Sequence, residues 1–475
     1  MAALQPGMGP HMTDRPGLLE LLHPDGHATT AVMVQVRCPA SWLPSRGDPA
    51  GSPVDLAVLG SEVDEAHVRQ AAARLSPDGV LCMFAPRSGR RKVRKWLHQS
   101  GVEVVHSLLI RRVTAGWERL ISLDPGAIRR ASGRWLPAGA HHLLGWWYPE
   151  VVLIGRRPEA RPCCQWMTPG GMVEAPTLLL QEKRRGARSS IVIELLDRRS
   201  QLVRVAKVAL SNGVASESVV REAEAMTCLA SAVSSSGADL PAASVVLLPG
   251  GCPAILQSPL EGRQVDGLLA RGKLGVDVFV SRLTDWLERW NRLTMTIRTI
   301  DREWLEREVL APAEVVVHRL AGGAGYLERL RVRCAGVEGD AVPLVATHCD
   351  LTTSNILDGK GGRLGVVDWE SSQEAGLPLR DVIYGIVDAV WAASGRGSRI
   401  QAFQDCFEGG GKHLDLARGS EIRIRRALGL SDEFAALCFH GCWLQHAADE
   451  AAARGATDPE PFLGIVERLA DQRHE

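Results

Sequence analysis

The feature that most constrains this chain is a pair of short segments in which acidic or amide side chains stand next to an apolar run. The first segment, 348–355, carries Asp350 and Asn355 in what its composition predicts to be a loop. The second, 364–370, contains a short apolar run that predicts a strand, and this run ends in Asp368. A loop carboxylate, a later amide and an acid at the end of the next strand rarely coincide by chance. Their order therefore predicts a functional site rather than an ordinary acidic turn.

The residue types in these segments suit the transfer of a phosphoryl group. Such a transfer needs a carboxylate that orients the attacking hydroxyl and accepts its proton, and oxygen ligands that hold Mg²⁺ on the phosphates. Asp350 suits the first task, and Asn355 and Asp368 suit the second. The amide of Asn355 offers an oxygen ligand without adding another negative charge.

Together the two segments resemble the aminoglycoside phosphotransferase and choline kinase family, a branch of the protein-kinase-like fold. The matching residues are His348-Cys349-Asp350-Leu351-Thr352-Thr353-Ser354-Asn355-Ile356-Leu357 and Val367-Asp368-Trp369-Glu370. The resemblance extends over about 175–460 and implies a two-lobed α+β domain. It also implies that Asp350 is the catalytic base and that Asn355 and Asp368 are the metal ligands.

The resemblance implies a nucleotide site as well. Lys207, one of few lysines in the chain and in the middle of a predicted strand, would bind the phosphates of ATP or GTP. Glu222 on the next helix would pair with Lys207, in preference to Glu224, because Arg-Glu is the start of the family's helix pattern. Two further cofactor-binding residues are implied, namely Ser189 in the covering loop 184–190 and Glu261 in the hinge 254–262.

Two departures from the family pattern concern loops. The residue between His348 and Asp350 is Cys349, where the family usually has glycine, and its Cβ predicts a tighter loop and slower catalysis. The covering loop has a single glycine, Gly186. The resemblance further implies that His348 and Asp381 brace the catalytic loop.

The region 54–113 alternates between strand and helix patterns. Strands are predicted at 54–59, 79–84 and 102–110, and helices at 65–75 and 89–99. This alternation predicts a parallel α/β sheet and resembles the second half of a class I methyltransferase sheet. The glycine-rich turn that a methyl-donor cofactor requires does not occur in 1–53, so a structural or docking role is expected.

The predicted organisation is an α/β domain followed by a kinase-like α+β domain. Residues 1–160 form a degenerate Rossmann or methyltransferase-like domain with a partial parallel sheet. Residues 161–262 form the kinase-like N-lobe and hinge, and 263–475 form the C-lobe with the catalytic loop. A Pro-rich stretch, 149–176, marks the first boundary.

Charge and hydropathy limit the partners. The 55 basic and 55 acidic residues cancel, which argues against a protein that binds nucleic acid. No apolar run is long enough for a membrane span and no signal-peptide pattern is present, so a cytoplasmic protein is expected. A basic cluster is either a solvated helix face or a docking surface for an acidic partner, and its members are Arg87, Arg90, Arg91, Lys92, Arg94 and Lys95.

The leading hypothesis is a phosphotransferase that moves the γ-phosphate of ATP or GTP to a small-molecule hydroxyl, with Mg²⁺ as cofactor. The acceptor would be an aminoglycoside-like antibiotic, an amino alcohol or a natural-product intermediate. The alternatives are a non-catalytic pseudokinase, a kinase that acts on a peptide hydroxyl, and a methyltransferase with a kinase-like appendage. Trp290, Trp369 and Trp443 belong either to the lobe core or to the wall of an acceptor pocket.

Overall fold

A computed structural model defines two compact units. The first comprises Met1–Ala223 and Ala243–Pro259, and the second comprises Glu224–Ala242 and Leu260–Glu475. The structure describes residues 20–22, 25, 31–34, 53–113, 117–122, 150–161, 163–168, 177–185, 188–197, 199, 201–209, 214–248, 252–453 and 461–471. The chain passes from one unit to the other three times: inside a long helix after Ala223, between Ala242 and Ala243, and inside the predicted hinge after Pro259.

The strands are, in chain order, β1 (Ala31–Val34), β2 (Val54–Leu59), β3 (Leu75–Pro86), β4 (Glu103–Val113), β5 (Trp117–Ser122), β6 (Glu150–Arg156), β7 (Thr177–Arg185), β8 (Arg188–Leu196), β9 (Leu202–Ala209), β10 (Ala238–Asp239), β11 (Ala243–Leu248), β12 (Cys252–Gln257), β13 (Arg263–Gln264), β14 (Thr296–Thr299), β15 (Ala341–Thr347), β16 (Ile356–Asp358), β17 (Leu364–Val366) and β18 (Gln373–Gly376).

The α-helices are α1 (Glu65–Arg74), α2 (Arg90–Gln99), α3 (Val214–Ser236), α4 (Val265–Leu269), α5 (Val276–Thr294), α6 (Arg302–Leu305), α7 (Ala311–Val317), α8 (Gly323–Val337), α9 (Arg380–Ala393), α10 (Arg399–Phe407), α11 (Leu414–Leu428), α12 (Asp432–Ala453) and α13 (Pro461–Asp471). A π-helical turn, Glu306–Leu310, joins α6 to α7. Among these helices, none is long and apolar enough to cross a membrane.

The first unit is built on one sheet of eleven strands, in the order β1-β2-β3-β6-β4-β5-β7-β8-β9-β12-β11. The strands β1, β2 and β3 run parallel, and every other neighbouring pair is antiparallel. Apolar side chains cover both faces of this sheet. On one face they include Val68 of α1 and Val93 and Leu97 of α2.

The strands and helices predicted between 54 and 110 are confirmed, but the pairing of the third strand differs from a simple parallel sheet. β4 does not pair with β3, because β6 lies between them and is antiparallel to both. Val151, Val152, Leu153 and Ile154 of β6 are fully buried, as expected for a central strand with apolar contacts on both faces. Local periodicity identifies a strand but does not select its neighbours.

The sheet also joins two of the predicted domains. β5, from 1–160, pairs with β7, from 161–262, so the strands of both ranges belong to one unit. The second predicted boundary, after residue 262, lies close to the division between the units at Pro259. The division of the chain into three domains, 1–160, 161–262 and 263–475, stays a prediction.

The second unit places two small sheets among helices. Their orders are β10-β17-β16-β13 and β14-β15-β18. The helix α5 buries an apolar face that includes Phe279, Leu283, Trp286 and Trp290. The Trp290 indole donates to the carbonyl of Ala346 in β15 at 2.7 Å, so this helix supports the strand that leads into the predicted catalytic loop.

Candidate functional site

In the first unit, Lys207 and Glu222 form the predicted ion pair. Lys207 lies on β9, opposite Val192 of β8 and Ile255 of β12. Its Nζ is 2.8 Å from Oε2 of Glu222 on α3, and the side chains are 7% and 1% exposed. Glu224 is exposed. The partner of Lys207 is therefore Glu222, and nucleotide binding by this pair stays a prediction.

Gln257 also contacts this pair and was not identified from the sequence. Its Nε2 donates to Oε1 of Glu222 at 2.9 Å, so each oxygen of the carboxylate accepts a hydrogen bond. Such bonds matter because burying a charge pair costs free energy unless its remaining polar atoms are satisfied. The sequence signal that could have identified Gln257 is a polar residue at the end of an apolar run. In the structure this run is β12, and all of its residues are buried.

The two other predicted cofactor-binding residues lie in different settings. The backbone of Ser189 belongs to β8 and pairs with Arg184 of β7, so the predicted covering loop is the tip of a hairpin. Residues 186–187 lie outside the described residues. Glu261 belongs to the second unit and is exposed, with its carboxylate 2.6 Å from Nζ of Lys360. Nucleotide binding by Ser189 and Glu261 stays a prediction.

In the second unit, the loop after β15 holds Asp350 and Asn355 together. The backbone carbonyl of Asp350 accepts from the N–H of Thr352 at 2.8 Å and from Nδ2 of Asn355 at 2.9 Å. Because the amide nitrogen of Asn355 is bound to the loop, its Oδ1 is the atom that it offers to a cation. We call the segment 348–355, which is predicted to carry the catalytic base, the catalytic loop.

Backbone pairing brings Asp368 beside this loop. Ile356 of β16 is opposite Val366 of β17, and the N–H of Val367 donates to the carbonyl of Asn355 at 3.0 Å. Asp368 follows immediately, in the left-handed conformation with φ of 69°. The two predicted metal ligands therefore lie at the ends of paired strands. An amide oxygen and a carboxylate are donors that suit Mg²⁺.

His348 links the catalytic loop to the same strand end. Its Nδ1 accepts from the N–H of Asp350 at 3.3 Å, and its Nε2 donates to the carbonyl of Val367 at 3.0 Å. In this pattern Nδ1 is the acceptor of the ring and Nε2 is its donor. The ring centroid lies 4.8 Å from that of Trp369. The predicted bracing role of His348 is confirmed by these contacts.

Asp381, at the start of α9, braces the beginning of the loop as predicted. Its two carboxylate oxygens accept from the N–H groups of His348 and Cys349, at 2.7 and 3.0 Å. Burial raises the pKa of the Asp381 carboxyl above its ordinary value, and the two N–H donors oppose that shift.

Cys349 occupies a backbone conformation that favours glycine. Its φ is 67°, and its buried thiol lies 3.1 Å from Oγ1 of Thr347. A residue with a Cβ pays a steric cost of about 1–2 kcal/mol in this region. The hydrogen bonds of the neighbouring residues are nevertheless formed, so the loop accommodates the departure from the family pattern.

The three tryptophans proposed for either core or pocket are core residues. Trp290, Trp369 and Trp443 are each no more than 1% exposed. Trp290 and Trp369 also contact each other, with ring centroids 5.7 Å apart. Their indoles therefore stabilise the second unit and do not line an open acceptor pocket.

Comparisons with solved structures find aminoglycoside phosphotransferases and WbdD. The chain is similar to the ADP-bound aminoglycoside phosphotransferase APH(2'')-Ib, with 13% identity over 56% of this chain and 93% of that one and a TM-score of 0.32. It is similar to the spectinomycin phosphotransferase APH(9)-Ia in its AMP-bound complex, with 12% identity, coverages of 59% and 91% and a TM-score of 0.32. It is also similar to WbdD, with 11% identity, coverages of 89% and 74% and a TM-score of 0.28. No protein-family model and no curated protein matches the sequence.

The packing of the catalytic loop predicts an unreactive Cys349. Burial raises the pKa of its thiol to about 11, so the nucleophilic thiolate is scarce near neutral pH. We expect iodoacetamide at pH 8 to label the exposed Cys228 well before Cys349 in the folded protein, as measured by peptide mass spectrometry. In urea-unfolded protein the two rates should converge. Equal labelling of the folded protein would contradict the packing described for the loop.

Proposed function

We propose that this protein is a phosphotransferase that moves the γ-phosphate of ATP to a hydroxyl of a small molecule, with Mg²⁺ as cofactor. The observation that carries the proposal is the loop geometry of the second unit, in which Asn355 donates to the carbonyl of Asp350 and strand pairing brings Asp368 beside them. GTP is the alternative phosphoryl donor, and a screen with both nucleotides separates the two.

Each residue has a task in this reaction. Asp350 orients the acceptor hydroxyl and accepts its proton as the new bond to phosphorus forms. Asn355 and Asp368 would hold Mg²⁺, which neutralises phosphate charge when bound. Lys207, which forms an ion pair with Glu222, would bind the nucleotide phosphates.

The rival hypothesis is a non-catalytic pseudokinase, and the site geometry favours an enzyme. Asp350, Asn355 and Asp368 are all present, and the bonds that orient Asn355 are formed despite the strained Cys349. A kinase for peptide hydroxyls remains the second alternative. A screen of hydroxylated metabolites and peptides with labelled ATP and GTP tests all three hypotheses, since a pseudokinase would transfer label to none of them.

For residues 1–160 we propose a degenerate Rossmann-like domain with a structural or docking role. The parallel pairing of β1, β2 and β3 and the absence of a glycine-rich turn from 1–53 support this proposal. On α2, Val93 and Leu97 are buried, whereas the basic residues Arg91, Lys92, Arg94 and Lys95 are exposed. An acidic partner, such as a carrier that bears the acceptor, would bind this face. We expect a cytoplasmic protein.

Reversal of the four exposed charges on α2 tests the docking role. If the face is only solvated, the variant should keep its free energy of unfolding within about 0.5 kcal/mol and keep its activity. If the face docks an acidic acceptor, activity on that acceptor should fall while activity on free small acceptors stays. The loss should be larger at low salt, where charge interactions are least screened. Equal rates on both kinds of acceptor at low salt would rule out docking.

Asp350→Asn should lower turnover by at least about 100-fold, the scale of a lost general base. Nucleotide affinity should stay within a few-fold, because Asp350 acts on the acceptor hydroxyl and not on the nucleotide. Transfer of labelled phosphate and nucleotide titration measure the two effects. Asp415→Asn, an exposed acid on α11, is the matched control and should retain full turnover. Near-normal transfer by Asp350→Asn would refute its role as the base.

Asp368→Ala should remove the dependence of nucleotide affinity on Mg²⁺, because a carboxylate ligand is lost. We expect calorimetric titration of ATP to give nearly the same Kd with and without Mg²⁺, while the thermal unfolding midpoint changes little. Glu374→Ala, an exposed acid in the same unit, should keep the Mg²⁺ effect. An unchanged Mg²⁺ effect in Asp368→Ala would show that the ligand assignment is wrong.

A further inference from the structure

A second buried carboxylate holds the middle of the catalytic loop. Oδ2 of Asp388 accepts from both the backbone N–H and the hydroxyl of Thr353, each at 2.7 Å. Oδ1 of the same side chain accepts from Nη2 of Arg399 at 3.1 Å. Asp388 therefore links the loop to α10.

Asp381 and Asp388 are spaced on α9 so that their carboxylates bind the catalytic loop at two separate points. Asp381 and Asp388 lie on α9 two turns apart, a rise of about 10.5 Å along one helix face. Asp381 holds the loop at its first two residues, and Asp388 holds it at Thr353. Asp350 lies between these two anchors, and Asn355 follows the second.

The charge of Asp388 has no evident value for stability alone. A buried ion pair loses hydration, and an apolar pair of similar size is often as stable. Asp388 is 2% exposed and Arg399 is 9% exposed, so this cost applies here. Arg399 is itself held by aromatic rings, with its guanidinium carbon 3.9 Å from the ring centroid of Trp391 and 4.9 Å from that of Phe462.

We propose that Asp388 is a positioning residue for the phosphoryl transfer. Acting through Thr353, it fixes the part of the catalytic loop that sets Asn355 against Asp350. The positive charge of Arg399 balances the negative charge of the Asp388 carboxylate, which accepts both hydrogen bonds from Thr353. This inference rests on the proposed function, because it concerns the alignment of the groups that carry out that reaction.

The test is a double-mutant cycle between Asp388→Asn and Thr353→Val. ATP hydrolysis with Mg²⁺, with water as acceptor, supplies kcat and KM. We expect each single variant to lower kcat by about 10- to 100-fold, the range produced by a small misplacement of catalytic groups, with KM for ATP within about threefold. The double variant should be no slower than the slower single one, since both changes break one contact.

Two variants separate positioning from general loss of structure. Thr353→Ser keeps the hydroxyl and should retain nearly full kcat. Ser420→Ala removes a buried hydroxyl that bonds within α11, and it should leave kcat unchanged. Unchanged kcat in both Thr353→Val and Asp388→Asn, or independent effects that multiply in the double variant, would overturn the proposal. If Asp388→Asn does not fold, Thr353→Val against Thr353→Ser decides, because both keep the backbone bond.

Hydrogen exchange separates this proposal from the proposed function. If the wild-type protein hydrolyses no ATP and transfers no phosphate, the proposed function fails. The anchoring claim is then decided by amide exchange. Asp388→Asn should accelerate exchange at 350–355 while β15 keeps its wild-type rates. Unchanged exchange across the catalytic loop would show that Asp388 does not position it.

Discussion

The site in the second unit depends on one contact, the acceptance of two adjacent backbone N–H groups by the carboxylate of Asp381. This contact turns the chain sharply after β15, and the turn places Cys349 in a left-handed conformation. Burial of the carboxylate opposes ionisation, and the two N–H donors favour the charged form. The Asp381 carboxylate loses its water shell and gains two directed hydrogen bonds. These bonds fix the backbone just before Asp350 and so orient that residue.

The same physical arrangement occurs elsewhere in the chain, where buried charge is placed by several hydrogen bonds at once. Glu222 accepts from Lys207 and Gln257 in the first unit, and Asp388 accepts from Thr353 and Arg399 in the second. A buried carboxylate without such partners would be costly, so each network tolerates little displacement. That rigidity suits a reaction in which the protein contributes mainly position and charge.

The long sheet of the first unit contains both the N-terminal strands and the strand that carries Lys207. β5 belongs to the predicted range 1–160 and β7 to the range 161–262, and these two strands pair with each other. The strand that carries Lys207, β9, therefore lies in the same sheet as β3 and β4, the strands that follow α1 and α2. This pairing covers one edge of β7, and an unpaired strand edge is a hazard for aggregation.

The sequence by itself determined the groups that we propose for the chemistry. Asp350, Asn355 and Asp368 are predicted from their residue types and their order within one short region. The pairing of Lys207 with Glu222 is implied by the family resemblance. Local apolar patterns also determined the strands and helices between 54 and 110. Only the tertiary structure decided the insertion of β6, the contact of Gln257 with Glu222 and the hold of Asp388 on Thr353. These contacts join residues far apart in the chain, and no local period or spacing encodes such a partner. Their free energy comes from burial and hydrogen bonds that exist only when the separate segments pack together.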